Sequence, residues 1–356
     1  MPADQGGGAA PAPGRTFSQR SGDLFLGIAA RGSAIAILLM LGSLVAVLAF
    51  AAIPSARTFG PAFLVSSDWR PNELEVPRRT PDGKVIIEDG EVLSDTVPPS
   101  FGALPVIYGT AVSSVLALVF AVPLSLGAAL FIVRIAPRFK IAGPVSFLVE
   151  FLAAIPSIAY GIWGLFVLAP IMQNHVEPGL RSFLQHVPGF HWMFFDHGNP
   201  VALTGKDMFT GSIVLAIMVL PIITAVSRDV LKAVPRAQIE GTQALGATWW
   251  QSSRGMLTYA RSGLFGAIML GLARAAGETM AITMVIGNNN QIKASPFAPA
   301  QTMSSLLANE FAEADPGLHR SALLQVALIL LVMSLAFNVI ARWLVVGSSS
   351  HTSAAH

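Results

Sequence analysis

The 356-residue sequence contains no cysteine, which excludes a disulfide framework, a thiolate metal site and a cysteine nucleophile. Charge is also scarce, since Asp, Glu, Lys and Arg make up 12% of the chain and leave a formal net charge of +2. No block of Lys and Arg concentrates the positive charge, so nothing supports a nucleic-acid partner. There is no GxxxxGK[ST] loop to cradle the phosphates of ATP in the usual way. What the chain has in quantity is apolar surface. Hydrophobic residues reach 53% and the mean hydropathy is +0.62, values that belong to integral membrane proteins. The isoelectric point near 9.1 reflects basic residues close to the membrane ends.

The stretch Gly263 to Asn288 is apolar and long enough to span a bilayer, because about 20 residues rising ~1.5 Å each cover the ~30 Å hydrocarbon core. Near its middle it carries Arg274 and Glu278, with Gly271, Ala275, Ala276 and Gly277 around them. Positions i and i+4 share a helix face, so the guanidinium and carboxylate can meet, and small neighbours let other helices pack closely over them. A lone charge at that depth costs at least ~2.5 kcal/mol, so such residues pair, face the protein interior and mark a transport path. A purely structural ion pair that fixes helix register is the competing reading.

Along the chain, residues 1–22 lack an apolar period and read as a disordered tail rather than a secretory signal. A first span covers about 23–53. The 54–101 loop is polar and proline-rich, with five basic and eight acidic residues, and the pattern around Asp89-Gly90 suggests a short hairpin. A second span runs from about Leu104 to Val133, kinked at Pro123. A third covers about Ile141 to Met172 and contains Glu150, which faces either the cavity or the headgroup level. Residues 173–208 form a polar loop whose His175, His186, His191 and His197 fit no metal-ligand spacing. A fourth span covers about Met208 to Val226, the Gly263 stretch is the fifth, and the last runs from about Ala322 to Val346. Between the fifth and last spans, Thr302 to Glu313 suggests a short helix. The residues from 347 on form a flexible tail.

The expected fold is therefore an all-α, multi-pass bundle of six transmembrane helices, with both termini on one side. Twelve basic residues flank spans on that side, against nine in the longer and more acidic loops of the other. The positive-inside rule then makes the termini and the 228–261 loop cytoplasmic.

Within that loop, Arg236 and Glu240 are spaced for an i,i+4 ion pair, while Ala244, Leu245 and Trp249 fall near one face. Gly246 can take the positive φ that ends one helix and starts another. Two short helices meeting at a glycine make a compact, partly apolar knob suited to a groove on a partner. An amphipathic helix lying on the membrane is the alternative.

Glu240-Gly241-Thr242, three further residues and Gly246 resemble the EAA-x3-G signature of ATP-binding-cassette import permeases. The usual continuation toward Leu-Pro is replaced here by Leu257-Thr258. The phosphate-importer branch of that family is suggested by Phe101 to Thr110, Ala121 to Gly127, Ala154-Ile155-Pro156-Ser157 after Glu150, Ala273-Arg274-Ala275-Ala276-Gly277-Glu278-Thr279-Met280-Ala281, and the Thr302 to Ala314 region. The similarity covers roughly 30–345.

The resemblance implies a type I import permease fold with a cytoplasmic coupling helix, the permease domain spanning about 102–346. It implies inorganic phosphate transport across a bacterial inner membrane. The translocation residues it suggests are Arg274 and Glu278, to which Thr279 of the same motif and Glu150 are added as candidates. The coupling residues it suggests are Arg236, Glu240, Gly241, Ala244, Leu245 and Gly246. Further implications are a second homologous permease subunit, an ATPase dimer that carries ATP and magnesium, an extracytoplasmic phosphate-binding protein, and no catalysis or bound cofactor in this chain. Another oxyanion such as sulfate or molybdate, or a secondary anion transporter, stands as the alternative.

Overall fold

The structure is a computed structural model that describes residues 17–77, 87–88, 91–92, 94–196 and 199–349. By internal contacts the chain divides into two units, residues 1–50 and 51–356. Among the described residues, four helical stretches are long and apolar enough to cross a membrane: Leu26–Phe59, Leu104–Phe139, Met208–Lys232 and Leu318–Ile340. Two bent helix pairs, Ala142–Ala154 with Ser157–Leu184 and Trp249–Tyr259 with Arg261–Ala276, bring the number to six when each pair counts as one span.

Helix α1 (Phe17–Phe59) begins in the first unit. There Ile37, Leu38, Leu39, Met40 and Phe50 are all exposed, an apolar surface all round the helix as lipid-facing segments require. Its last turns belong to the second unit and continue past Pro54, where the sequence suggested an end. The proline opens the backbone ladder, and Ser321 fills the gap. Its hydroxyl accepts from the Ser55 N–H at 3.0 Å and donates to the Ala51 carbonyl at 2.8 Å. Neighbouring serines commonly repair a membrane helix this way.

The second unit is built on α2 (Leu104–Leu130) and α6 (Met208–Lys232), with the shorter helices α3 (Ala142–Ala154), α4 (Ser157–Trp163) and α5 (Glu177–Leu184) between them. Pro123 lies inside α2 without interrupting the helix. The expected third span is not one rod. It breaks at Ile155-Pro156 with a bend of 87°, where both residues are extended (ψ 129° and 138°). Proline removes an N–H and drives its predecessor out of the helical region.

After α6 come α7 (Arg236–Ala244), α8 (Trp249–Tyr259), α9 (Arg261–Ala276), α10 (Met280–Val285), α11 (Met303–Glu310) and α12 (Leu318–Ser349). The α6 side chains Val214, Leu215, Val219 and Ile223 form the central core with Ala117 and Ala121 of α2, Ala267 and Ala275 of α9, and Ile282 and Val285 of α10. A Cβ added at Gly263 would meet Val230 at 2.6 Å, and one at Gly271 would meet Ile223 at 2.5 Å. Helix α9 therefore runs antiparallel along α6 at a separation that only small residues allow.

Among the described residues, six short strands make three antiparallel pairs outside the helices. β1 (Leu74–Pro77) pairs with β4 (Ser94–Val97), β2 (Ile87–Glu88) with β3 (Glu91–Val92), and β5 (Phe195–Asp196) with β6 (Asn199–Pro200). The expected hairpin is present as β2 and β3, with Ile87 opposite Val92; its turn residues 89–90 lie outside the described ones.

Candidate functional site

The expected single helix from Gly263 to Asn288 is interrupted at the charged pair. Helix α9 stops at Ala276 and α10 starts at Met280, so Glu278 stands in the break rather than one helical turn from Arg274. The two still meet, with Arg274 Nη2 3.7 Å from Glu278 Oε2. That distance carries Coulomb attraction without a hydrogen bond.

Glu278 is the fixed partner, since only 4% of its side chain is exposed. Its Oε1 accepts the Ala281 N–H at 3.3 Å, taking one of the open donors at the start of α10, where negative charge is favoured. Its carbonyl accepts from the Ser304 hydroxyl at 2.6 Å. Arg274 is half exposed. Because Gly263 packs on Val230 and Gly271 on Ile223, Arg274 lies level with about residue 220 of α6, near the middle of that helix. Thr279 lies beside the break, where with Ser304, Leu307, Ala308 and Phe311 it lines a largely apolar cleft of about 430 Å³.

Glu150 is elsewhere. Arg228 Nη1 donates to Glu150 Oε1 at 2.8 Å, and Arg228 Nε donates to Asp229 Oδ1 at 2.9 Å. Arg228 stands near the C-terminal end of α6, about two helical turns below the level of Arg274. Glu150 therefore shares a different cleft, of about 400 Å³, with Arg228, Lys232 and Ser146, and the structure does not bring it to the Arg274–Glu278 pair.

The coupling knob forms as two helices around a glycine. Gly246 has φ +82°, its N–H bonds to the Gln243 carbonyl at 2.9 Å and the Ala247 N–H to Thr242 at 3.1 Å. Thr248 then caps α8 through a reciprocal exchange with Gln251, the arrangement that closes a helix start most fully. Arg236, Glu240, Gly241, Ala244, Leu245 and Gly246 are all exposed, and Leu245 is 91% exposed. Trp250 is exposed as well, whereas Trp249 is partly buried. The ion pair that the spacing of Arg236 and Glu240 allows does not form among the described residues, and both side chains are exposed. The knob is held instead by its inner side, where Ile239 packs against the Leu231–Met256 cluster and Thr242 Oγ1 bonds to Ser252 Oγ. Arg134 reaches the same Ser252 from the basic loop.

Sequence reading missed the supports of these sites. Ser304 under Glu278 and Ser252 under the knob carry no sequence signal, because serines are common in membrane helices and only the tertiary fold selects these two. Asp207 was recoverable, as an acid three residues before Thr210 at the start of an apolar run. It caps α6 by accepting the Thr210 N–H at 2.8 Å.

The family model described as "Binding-protein-dependent transport system inner membrane component" matches residues 121–347. "Phosphate transport system permease protein PstC" of Mesorhizobium japonicum is 39% identical over 325 residues, 91% of this chain and 90% of that one. The protein of the same name from Pasteurella multocida is 40% identical over 88% of each. Among solved structures, the inward facing MetNI methionine ABC transporter matches with a TM-score of 0.46 at 18% identity, covering 69% of this chain and 94% of that one. With a family model over most of its length and relatives matched nearly end to end, the chain belongs to the PstC family of phosphate transport system permease proteins, within the binding-protein-dependent transport system inner membrane components.

Proposed function

We propose that this chain is the membrane subunit of an ATP-driven phosphate importer of the bacterial inner membrane, and that Arg274 contacts the anion in transit. The observation that carries the reading is the asymmetry of the charged pair. Glu278 is buried and anchored by the Ala281 N–H and Ser304, whereas Arg274 is half exposed, level with the middle of α6, and stands 3.7 Å from its partner without a hydrogen bond. A guanidinium offers five donors in a planar fork, a geometry that suits a tetrahedral oxyanion. A cation that deep does not face lipid tails, so the open side of Arg274 adjoins a water-filled path completed by a second, homologous permease subunit. Glu278 keeps the arginine in place and offsets its charge, so the anion is passed on rather than trapped. Thr279 sits at the edge of the same break and supplies a hydroxyl beside the path.

An extracytoplasmic phosphate-binding protein docks on the loops opposite the knob and delivers the ion. The knob built by Arg236, Glu240, Gly241, Ala244, Leu245 and Gly246 seats in a groove of a separate ATPase dimer, which holds ATP and magnesium. Both termini and the knob are cytoplasmic. This chain binds no cofactor and catalyses no bond cleavage. The competing substrates are other oxyanions, sulfate and molybdate.

The test is labelled phosphate uptake by the reconstituted transporter, with ATPase activity measured in parallel and unlabelled sulfate and molybdate as competitors. With Arg274→Gln, uptake falls to background while ATPase activity persists. Normal uptake by that variant overturns the assignment of Arg274. Competition by sulfate or molybdate as strong as by phosphate overturns the substrate.

A further inference from the structure

Two carboxyl groups lie buried together at the end of α6 away from the knob, and nothing in the proposed transport path uses them. Glu177 opens α5 and Asp207 caps α6, and both are fully buried. Both Glu177 oxygens and Asp207 Oδ2 are buried without a hydrogen-bond partner, while Asp207 Oδ1 holds the Thr210 N–H. The two carboxyls lie within reach of each other. The Gly205 N–H lies alongside Glu177 but does not meet hydrogen-bond geometry.

No cation serves the pair among the described residues. Just before Glu177, His175 is exposed, and on α5 Arg181 is turned over the Phe195 ring at 5.3 Å. Lys206, in the turn before α6, is exposed. The 287–301 segment, whose Ala298 and Pro296 carbonyls take the Met208 and Phe209 amides, carries only Lys293, and neither carboxyl is in an ion pair with it. The contact cannot relax by sliding. Gly205 has φ +67°, and a Cβ there would lie 2.1 Å from the Ala169 carbonyl, so the turn is seated directly on the 164–177 helical segment.

Two bare carboxylates in this position would repel each other in a medium that solvates neither, and removing one charge converts repulsion into a hydrogen bond. We propose that Glu177 and Asp207 form a proton-binding site, in which one carboxyl O–H donates to an oxygen of the other and so latches the 157–184 segment onto the start of α6. Consistent with this, burial pushes the Asp207 carboxyl above the ordinary carboxylate range. A folded state that favours the protonated carboxyl is fully stabilised on the acid side, and that contribution is lost as pH rises through the folded-state value.

Two measurements on the purified transporter in lipid nanodiscs test the latch. Infrared titration from about pH 6.5 to about pH 9.5, beyond the usual carboxylate range, shows a protonated-carboxyl band at the start that disappears on alkalinisation and is absent in Glu177→Gln. Thermal unfolding over the same range shows a midpoint that falls with rising pH in the wild type and stays flat in Glu177→Gln, whose amide mimics the protonated acid. Asp207→Asn, which retains an acceptor for Thr210, gives the same flat profile. If the wild type has no such band near neutral pH, or if the band and the alkaline fall survive in both variants, the proposal is wrong.

Discussion

Two arginine–glutamate pairs among the described residues are built in opposite ways. At Arg228–Glu150 the arginine is the held partner: 12% of its side chain is exposed, and two carboxylates bind it at 2.8 and 2.9 Å. Glu150 is 57% exposed. At Arg274–Glu278 the carboxylate is the held partner, and the half-exposed arginine stands 3.7 Å away. An arginine whose donors are already bonded braces α6 against α3. An arginine whose donors are largely unspent can bind something else. Composition and spacing do not separate the two; which partner is anchored does.

Substitutions that probe this contrast should rank in a definite order. The largest effect falls outside both pairs, at the knob. Glu240→Ala with Gly246→Asp should abolish phosphate uptake and substrate-stimulated hydrolysis, since a side chain at φ +82° is strained and the exposed face is altered. Surviving ATPase pull-down together with stimulated hydrolysis would remove the coupling role. Next, Arg274→Lys keeps the charge but loses the planar fork. Losing one charge-assisted bond of ~1.5–3 kcal/mol predicts a roughly tenfold to hundredfold fall in uptake. Arg228→Lys should change uptake by no more than about twofold, since this arginine braces two helices with its donors bonded to two carboxylates rather than open to the anion.

Third, Glu278→Gln retains an oxygen for the Ala281 N–H but removes the charge opposite Arg274. It should lower uptake severalfold by trapping the anion, seen as tighter phosphate binding with slower turnover. Glu150→Gln should leave both quantities nearly unchanged, and the reverse ranking of these two glutamates would invert the roles assigned here. The smallest effect is one of stability. Ser321→Ala leaves the Ser55 N–H and Ala51 carbonyl without their bridge at Pro54 and should cost about 1 kcal/mol, readable as a lower thermal midpoint at unchanged uptake per folded molecule.

Much of this was legible beforehand because the physics is local. The knob needed a helix, a residue at positive φ and a second capped helix, and Gly246 with Thr248 and Gln251 supplies all three within a few positions. The site pair was legible because opposite charges inside an apolar run have few uses in lipid. The break at Glu278 was not, since Ala-Ala-Gly-Glu-Thr reads equally well as a continuous helix. What stops α9 is the combined support of Ser304, from a segment 26 residues away, and the Ala281 amide. The 87° turn at Pro156 was half legible: the proline announces a disturbance, but packing of α4 on α10 and α6 decides where the second half goes.

Sequence alone determined that the chain is a membrane bundle, where most of its apolar spans lie, and that Arg274, Glu278 and the Glu240–Gly246 loop stand apart, because hydropathy, charge depth and glycine conformation act over a turn or two of helix. Tertiary structure alone decided that Glu150 belongs to Arg228, that Glu278 rather than Arg274 is the anchored partner, and that Glu177 meets Asp207 across thirty positions of chain. These pairings depend on which helices pack together and how closely, and that is set by the summed burial of side chains over the whole bundle rather than by any segment's own pattern.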